Sequence, residues 1–166
     1  MAAPDLTIRA FEPGDLPALQ RIRAAAFEPV FRSFRDTVGK EIAAIAFAHA
    51  DAEQARLLDG IGEAGSEHRV LVVEAARGEA VGFVSFTVDA GKRTGEIGLN
   101  AVHPKRAGQG IGSMMYEHVL ACMKELGIAL ATVGTGADPS HAPARRAYEK
   151  AGFGPAIPSV FLYRLL

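Results

Sequence analysis

A strand-like run, Gly95-Glu96-Ile97-Gly98-Leu99-Asn100-Ala101-Val102, stops at Pro104, passes through Gly108-Gln109-Gly110-Ile111-Gly112 and enters a helical pattern. In that pattern Ile111, Met115, Val119 and Met123 recur every four residues up to a stop at Gly127. A strand that turns over on glycines into an amphipathic helix needs a sheet with the helix packed across it, so the junction commits the chain to an α/β arrangement. It also leaves unpaired N–H groups at the positive end of a helix dipole, where an anion is stabilised. Glycine matters there because a Cβ blocks close backbone approach to phosphate oxygens and because such turns call for positive φ.

Spacing sorts the phosphate sites that use this device. A nucleoside-triphosphate loop needs Gly-Lys followed by Ser or Thr at the helix start, whereas Gly112 is followed directly by Ser113. A dinucleotide fingerprint beginning at Gly108 and Gly110 puts Ser113 where its third glycine belongs, and its acidic ribose ligand is missing. What remains is a pyrophosphate held on backbone amides, or a loop that only joins strand to helix.

The rest of the chain supplies the partners of that unit. Leu6 to Phe11 alternates like a short strand, Pro13-Gly14-Asp15 punctuates it, and a helical run covers Leu16 to Phe27. A second helical stretch is expected over Gly39 to Ile61, with Ile42, Ile45, Ala46, His49 and Glu53 near one stripe. Val70–Ala75 and Val81–Val88 read as β-branched strands of a hairpin turning at Arg77-Gly78-Glu79. Ile128 to Thr135 reads as a strand, Pro139 to Ala151 as a helix ended by Gly152, and Ser159 to Leu165 as a last strand.

Length and composition limit the function classes. The 166 residues suit a single domain, 1–166, able to bury a core without disulfides or metal. Apolar residues at 49% and charged residues at 22% argue for a soluble globular protein. A net charge of −1 removes the usual argument for a polyanionic partner, so no nucleic acid is expected. The amino terminus has neither a basic nor an apolar signal region, and no run is long enough to span a bilayer, so no membrane partner and a cytoplasmic location are expected. Cys122 alone excludes an internal disulfide and, in its apolar helical stretch, reads as a packing residue. The histidines have no mutual spacing for a metal site, so no metal is expected.

Two blocks then coincide. Val102-x-Pro104 followed by Gly110-Ile111-Gly112-Ser113, and later Ala144-x-x-x-Tyr148-Glu149-x-x-Gly152-Phe153, resemble the GNAT superfamily of acyl-CoA-dependent N-acyltransferases over roughly Leu6 to Leu166. The resemblance implies an α/β (α+β) fold with a mixed, mostly antiparallel central sheet of six to seven strands flanked by helices. It implies acetyl-CoA as acyl donor and a small-molecule or peptide amine as acceptor; a homodimer is compatible with it. By similarity the pyrophosphate falls to the backbone of Gln109, Gly110, Ile111, Gly112 and Ser113, with Gly108 and Ala107 leading in. The family usually carries Gln or Arg three residues before the first glycine of its Gly-x-Gly; here Ala107 stands there, with Arg106 and Gln109 on either side. The grip therefore relies on backbone, with Arg106 or Lys105 as the side chains near a phosphate.

Acyl transfer from a thioester to an amine asks for a neutral amine and an acid for the leaving thiolate. A phenol, with a pKa of about 10, can protonate a thiolate of about 8.5 as charge develops. Tyr148 falls on the family's tyrosine with this role; otherwise it packs the last helix on the sheet. Glu96 matches a strand carboxylate that in several relatives accepts the amine proton through water; otherwise it is an exposed glutamate, and other relatives manage without a dedicated base. The backbone of Ala101 or Val102 is the expected donor to the thioester carbonyl, with Asn100 the nearest polar side chain. His141 stands where many relatives have an asparagine against the pantetheine arm, and with Arg145 it either contacts cofactor or serves the loop. Phe27, Phe31 and Phe34 beside Arg32 and Arg35 suit a partly apolar, carboxylated amine or are merely core and surface. Two other functions stay open: an acyl-CoA-binding sensor without chemistry, and a nicotinamide- or flavin-binding domain.

Overall fold

The computed structural model describes residues 6–166. Five strands form one sheet in the order β1 (Thr7–Ala10), β2 (Arg69–Ala75), β3 (Glu79–Asp89), β4 (Thr94–Val102) and β5 (Leu130–Val133). The first four run antiparallel to their neighbours, and β5 lies parallel to β4. Helices α1 (Leu16–Val38), α2 (Lys40–Ala46) and α3 (Ala50–Ile61) precede β2; α4 (Ile111–Glu125) makes the β4-to-β5 crossover, and α5 (Ala142–Lys150) follows β5.

Alternation along the strands sorts the core onto two faces. Val72, Phe83 and Ala101 meet Leu19 and Ile22 of α1 and Leu58 of α3. Their neighbours Val73, Val84 and Ile97 meet Ile111, Met115, Val119 and Met123 of α4 and Tyr148 of α5. The four-residue stripe read from the sequence is therefore the buried face of α4. Arg23, only 3% exposed, fastens α1 to α3 by donating to Asp51 Oδ1 at 2.8 Å and is braced within α1 by Gln20 Oε1 at 2.8 Å. A buried cation is tolerated only with such partners.

Four expectations are corrected. The sheet has five strands among the described residues, not six to seven, because Ser159–Leu165 pairs with nothing. Pro155 and Pro158 lack the N–H a ladder needs, and the chain past them leads Tyr163 to Phe47, ring centroids 6.0 Å apart, instead of along β5. The helix expected from Gly39 to Ile61 is broken between α2 and α3, where Phe47 leaves helical geometry (φ −125°, ψ 15°) and sets its ring on Phe34, 5.6 Å away. The stripe proposed there is not the buried one: Ile45 is exposed, while Ala43, Leu58 and Ile61 are buried. The first helix runs past Phe27 to Val38 with Pro29 inside it. No helix among the described residues is long and apolar enough to cross a membrane.

Candidate active site

The site begins where two strands part. β5 pairs with β4 only from Thr94 to Ile97, so from Gly98 onward this edge of β4 has no strand beside it among the described residues. On its other edge β4 carries a bulge, since Phe86 pairs with Ile97 but Val84 pairs with Asn100, leaving Gly98 and Leu99 opposite Ser85 alone. Ser85, wholly buried, donates to the bulge carbonyl of Leu99 at 3.0 Å. A Cβ on Gly98 falls 2.9 Å from Ser85 Oγ, so the bulge needs glycine there. The extra residue turns Asn100 to the face that Ile97 occupies, toward α4 and α5.

Asn100 then joins two tyrosines. Its Nδ2 donates to the hydroxyl of Tyr148 at 3.0 Å and to the carbonyl of Gly98 at 2.9 Å, while its Oδ1 accepts from the hydroxyl of Tyr116 at 2.8 Å. The tyrosine rings stack with centroids 4.4 Å apart, and Phe153 meets Tyr148 edge-on. Burial, then the neighbouring Tyr148, pushes the Tyr116 phenol far above its ordinary value, so it stays protonated. Its proton is committed to Asn100. Tyr148 accepts from Asn100 and gives its own proton to no acceptor among the described residues.

A cleft of about 550 Å³ opens along this edge. Its floor is Asn100, Ala101, Val102 and Tyr116; one end is the glycine turn; the walls come from Ala26, Phe27 and Val30 of α1 and Ala144, Arg146 and Lys150 of α5. In the turn, Gly108 and Gly110 have φ of 76° and 79°, conformations that L side chains rarely adopt. Gly110 caps α4 in the left-handed region without a side-chain hydrogen bond, leaving the first N–H groups of the helix unpaired. This donor array fits a pyrophosphate.

Most of the expected contact residues converge on this cleft. Ala101, Val102, Arg106, Ala107, Gly108, Gly110, Ile111, Gly112, Ser113 and His141 line it; Gln109 sits in the same turn but is not in its lining. Arg106 is partly held by Glu79 at 2.8 Å. Arg145 points away, donating to the carbonyls of Gly136 at 2.5 Å and Asp138 at 2.8 Å; its neighbour Arg146 faces the cleft instead. Tyr148 is buried behind Asn100 and Tyr116 rather than in the lining. Glu96 is exposed and outside the cleft; Gly95 and Ile97 beside it face α4, so Glu96 belongs to the opposite face of the sheet. Tyr116 was missed as a site residue, though it sits one helical turn after Gly112, a spacing that sets it over the glycine turn.

The loop before α5 carries a second polar cluster. Asp138 Oδ1 lies 2.6 Å from His141 Nδ1, and Asp138 Oδ2 accepts from the Ser140 hydroxyl, from Ser140 N at 3.0 Å and from Ser33 Oγ at 3.3 Å. Burial opposes the charged carboxylate, but the hydrogen bonds from Ser140 and His141 outweigh it and draw Asp138 from 3.8 to about 2. A depressed carboxyl contributes stability above its unfolded value that is lost as pH falls through its folded value. Asp138→Asn should therefore lower stability at neutral pH and flatten the loss between pH 3.8 and about 2. Urea midpoints of both proteins across that window provide the check; parallel curves contradict the assignment.

The comparisons agree with this architecture. In backbone the chain is similar to the ribosomal-protein-S18-alanine N-acetyltransferase of Escherichia coli, at 20% identity, covering 92% of this chain and 79% of that one with a TM-score of 0.66. It is similar to the BH1408 protein of Bacillus halodurans in a tetramutant form, at 16% identity, 95% and 99% coverage and a TM-score of 0.71. The aminoglycoside N-acetyltransferase AAC(6')-Iy, solved in complex with CoA, matches at 14% identity, 97% and 95% coverage and a TM-score of 0.65. At such identities the likeness is one of fold. Among curated proteins none matches the sequence. The sequence profile of the acetyltransferase (GNAT) family matches residues 27–153, which with the parted strands and the glycine turn establishes that the chain belongs to the GNAT acetyltransferases.

Proposed function

We propose that the protein transfers an acetyl group from acetyl-CoA to a primary amine, by direct attack in a ternary complex. The observation that carries this reading is the continuity of the cleft. One channel joins a row of unpaired helix N–H groups, suited to a pyrophosphate, to a free strand edge where Asn100 holds the two tyrosines. The pantetheine arm extends beside β4 from Val102 toward Gly98, and the backbone of Ala101 or Val102 donates to the thioester oxygen as it gains charge. As the C–N bond forms and the C–S bond breaks, the departing sulfur draws the uncommitted proton of Tyr148, which stands just behind the cleft lining beside Asn100. Glu96 reaches the amine only through solvent.

The related proteins bear on the acceptor by their names alone, which range from a ribosomal-protein alanine to aminoglycosides. Cys122, half-buried in α4 and absent from the cleft lining, offers no thiol for a covalent acyl-enzyme. The single thiol also suits a reducing cytoplasm.

A ligand that binds only the folded state stabilises it by about 2.7 kcal/mol at a hundred times its Kd. Acetyl-CoA should raise the melting temperature accordingly, while NAD and FAD should not, and mass spectrometry should find an amine 42 Da heavier (the mass of an acetyl group replacing hydrogen). Stabilisation by NAD or FAD with none by CoA contradicts the reading.

The homodimer finds support in the tail. Val160, Phe161 and Leu162 are 81, 83 and 90% exposed, and the outer edge of β5, with Leu130 exposed, has no partner strand among the described residues. A second copy that covers this segment removes an exposed apolar patch. Light scattering should give a dimer that Phe161→Glu with Leu162→Glu dissociates; a wild-type monomer contradicts the dimer.

A further inference from the structure

Resting on the acyl-transfer reading, we propose that His141 takes the proton from the attacking amine, with Asp138 as its positioning residue. His141 lines the same cleft as Asn100, Ala101 and Tyr116, so an amine poised over the free β4 edge lies in the space it borders. Asp138 is ionised and can only accept, which fixes the proton of the neutral imidazole on Nδ1 and leaves Nε2 with a free lone pair. The pair is a base with its orienting carboxylate.

The surroundings hold the pair in place. A Cβ on Gly136 falls 2.6 Å from Asp138 Oδ1 and closer still to His141 Nδ1, so only glycine lets the loop close on the dyad. Arg145 ties the carbonyls of Gly136 and Asp138 to α5. The ring of Phe34 stacks on the imidazole with centroids 5.9 Å apart and an interplanar angle of 23°. The cluster is not a nucleophilic triad: the hydroxyl of Ser140 donates to Asp138 and lies 3.4 Å from Nδ1, the atom already used, so no base faces it.

The charges that bear on the imidazole come from three elements. Asp138 lies in its own turn; on α5, Arg145 sits on the carbonyls of Gly136 and Asp138 while Arg146 and Lys150 border the same cleft; Arg32 and Asp36 of α1 line a neighbouring pocket with Pro139. Glu96, the carboxylate expected from the sequence, stands outside the cleft lining, on the sheet face that α1 covers. The step balances without a further reactant. The amine nitrogen bonds to the thioester carbon, its surplus proton passes to Nε2, the C–S bond breaks, and Tyr148 protonates the thiolate. Water then takes the proton from His141 and returns one to Tyr148.

The test is the pH dependence of kcat/KM for an amine acceptor, with CoA affinity measured alongside. His141→Gln should lower kcat by about 100-fold or more and leave only the rising limb set by the amine's own ionisation, with a far smaller change in Kd for CoA than in kcat. Asp138→Asn should lower kcat at least tenfold with little change in amine KM, and this second variant decides the matter if His141→Gln does not fold. Nitrogen NMR of the wild type should find the neutral His141 protonated at Nδ1. A His141→Gln enzyme with at least half the wild-type turnover and the same pH profile overturns the proposal, as does an Nε2-protonated tautomer. A wild type that acetylates no amine overturns the acyl-transfer reading and this assignment with it, so the two failures are distinguishable.

Discussion

Gly112→Asp should lower affinity for CoA by about 100-fold, close to 2.7 kcal/mol, while leaving the fold at least as stable. The two effects have opposite signs for one reason. Gly112 occupies the second position of α4, where a Cβ meets only ordinary contacts, with Ala147 Cβ at 3.7 Å and Tyr116 at 3.9 Å. An Asp side chain there is accommodated, and its carboxylate favours a helix N-terminus by about 0.3–1 kcal/mol. The same carboxylate occupies the unpaired N–H groups and repels a pyrophosphate. Titration of CoA by calorimetry together with urea unfolding separates the two. Unchanged affinity places the phosphates elsewhere; reduced affinity with a collapsed fold contradicts the steric argument.

Tyr148→Phe should reduce turnover by about 100-fold or more with CoA affinity preserved, whereas Tyr116→Phe should cost mostly stability. Both phenols touch Asn100, but their protons are used differently. Tyr116 gives its proton to Asn100 Oδ1, so its removal leaves a partly buried acceptor unpaired, at about 1–3 kcal/mol. Tyr148 accepts from Asn100 and retains its proton; removing the hydroxyl still leaves Asn100 Nδ2 its bond to Gly98. Steady-state kinetics and unfolding curves of the two variants decide between the roles. Equal turnover in Tyr148→Phe and wild type favours a tyrosine that only packs α5, and with it the sensor reading.

Much of this arrangement was legible in the chain. The four-residue stripe from Ile111 to Met123 predicted the buried face of α4, the hairpin at Arg77-Gly78-Glu79 forms, and the positive φ of Gly108 and Gly110 is the geometry the glycine turn implied. What escaped depends on partners remote in sequence. The bulge at Gly98 and Leu99 inverts which residues face α4 and α5, and one extra residue in a strand leaves no periodic trace. Without it, Asn100 reads as a side chain on the wrong face.

Other misreadings have the same origin. The apolar alternation of Ser159–Leu165 is real, but propensity for a strand does not name an edge to pair with, and none is taken among the described residues. Phe47 interrupts a continuous helical pattern because its ring packs on Phe34 of the preceding helix. The dyad did leave a signal: Asp138-Pro139-Ser140-His141 places a carboxylate three residues before an imidazole in a tight turn, the spacing at which they meet.

Acyl transfer in the cleft, beyond the mere holding of an acyl-CoA, is what we propose. Release of free CoA thiol from acetyl-CoA, followed across a panel of peptide amino termini, lysines, amino acids, polyamines and aminoglycosides, tests it most directly. The expected result is thiol release that depends on at least one of these amines and saturates with it. Tight binding of acetyl-CoA with no amine-dependent thiol release from any class contradicts it.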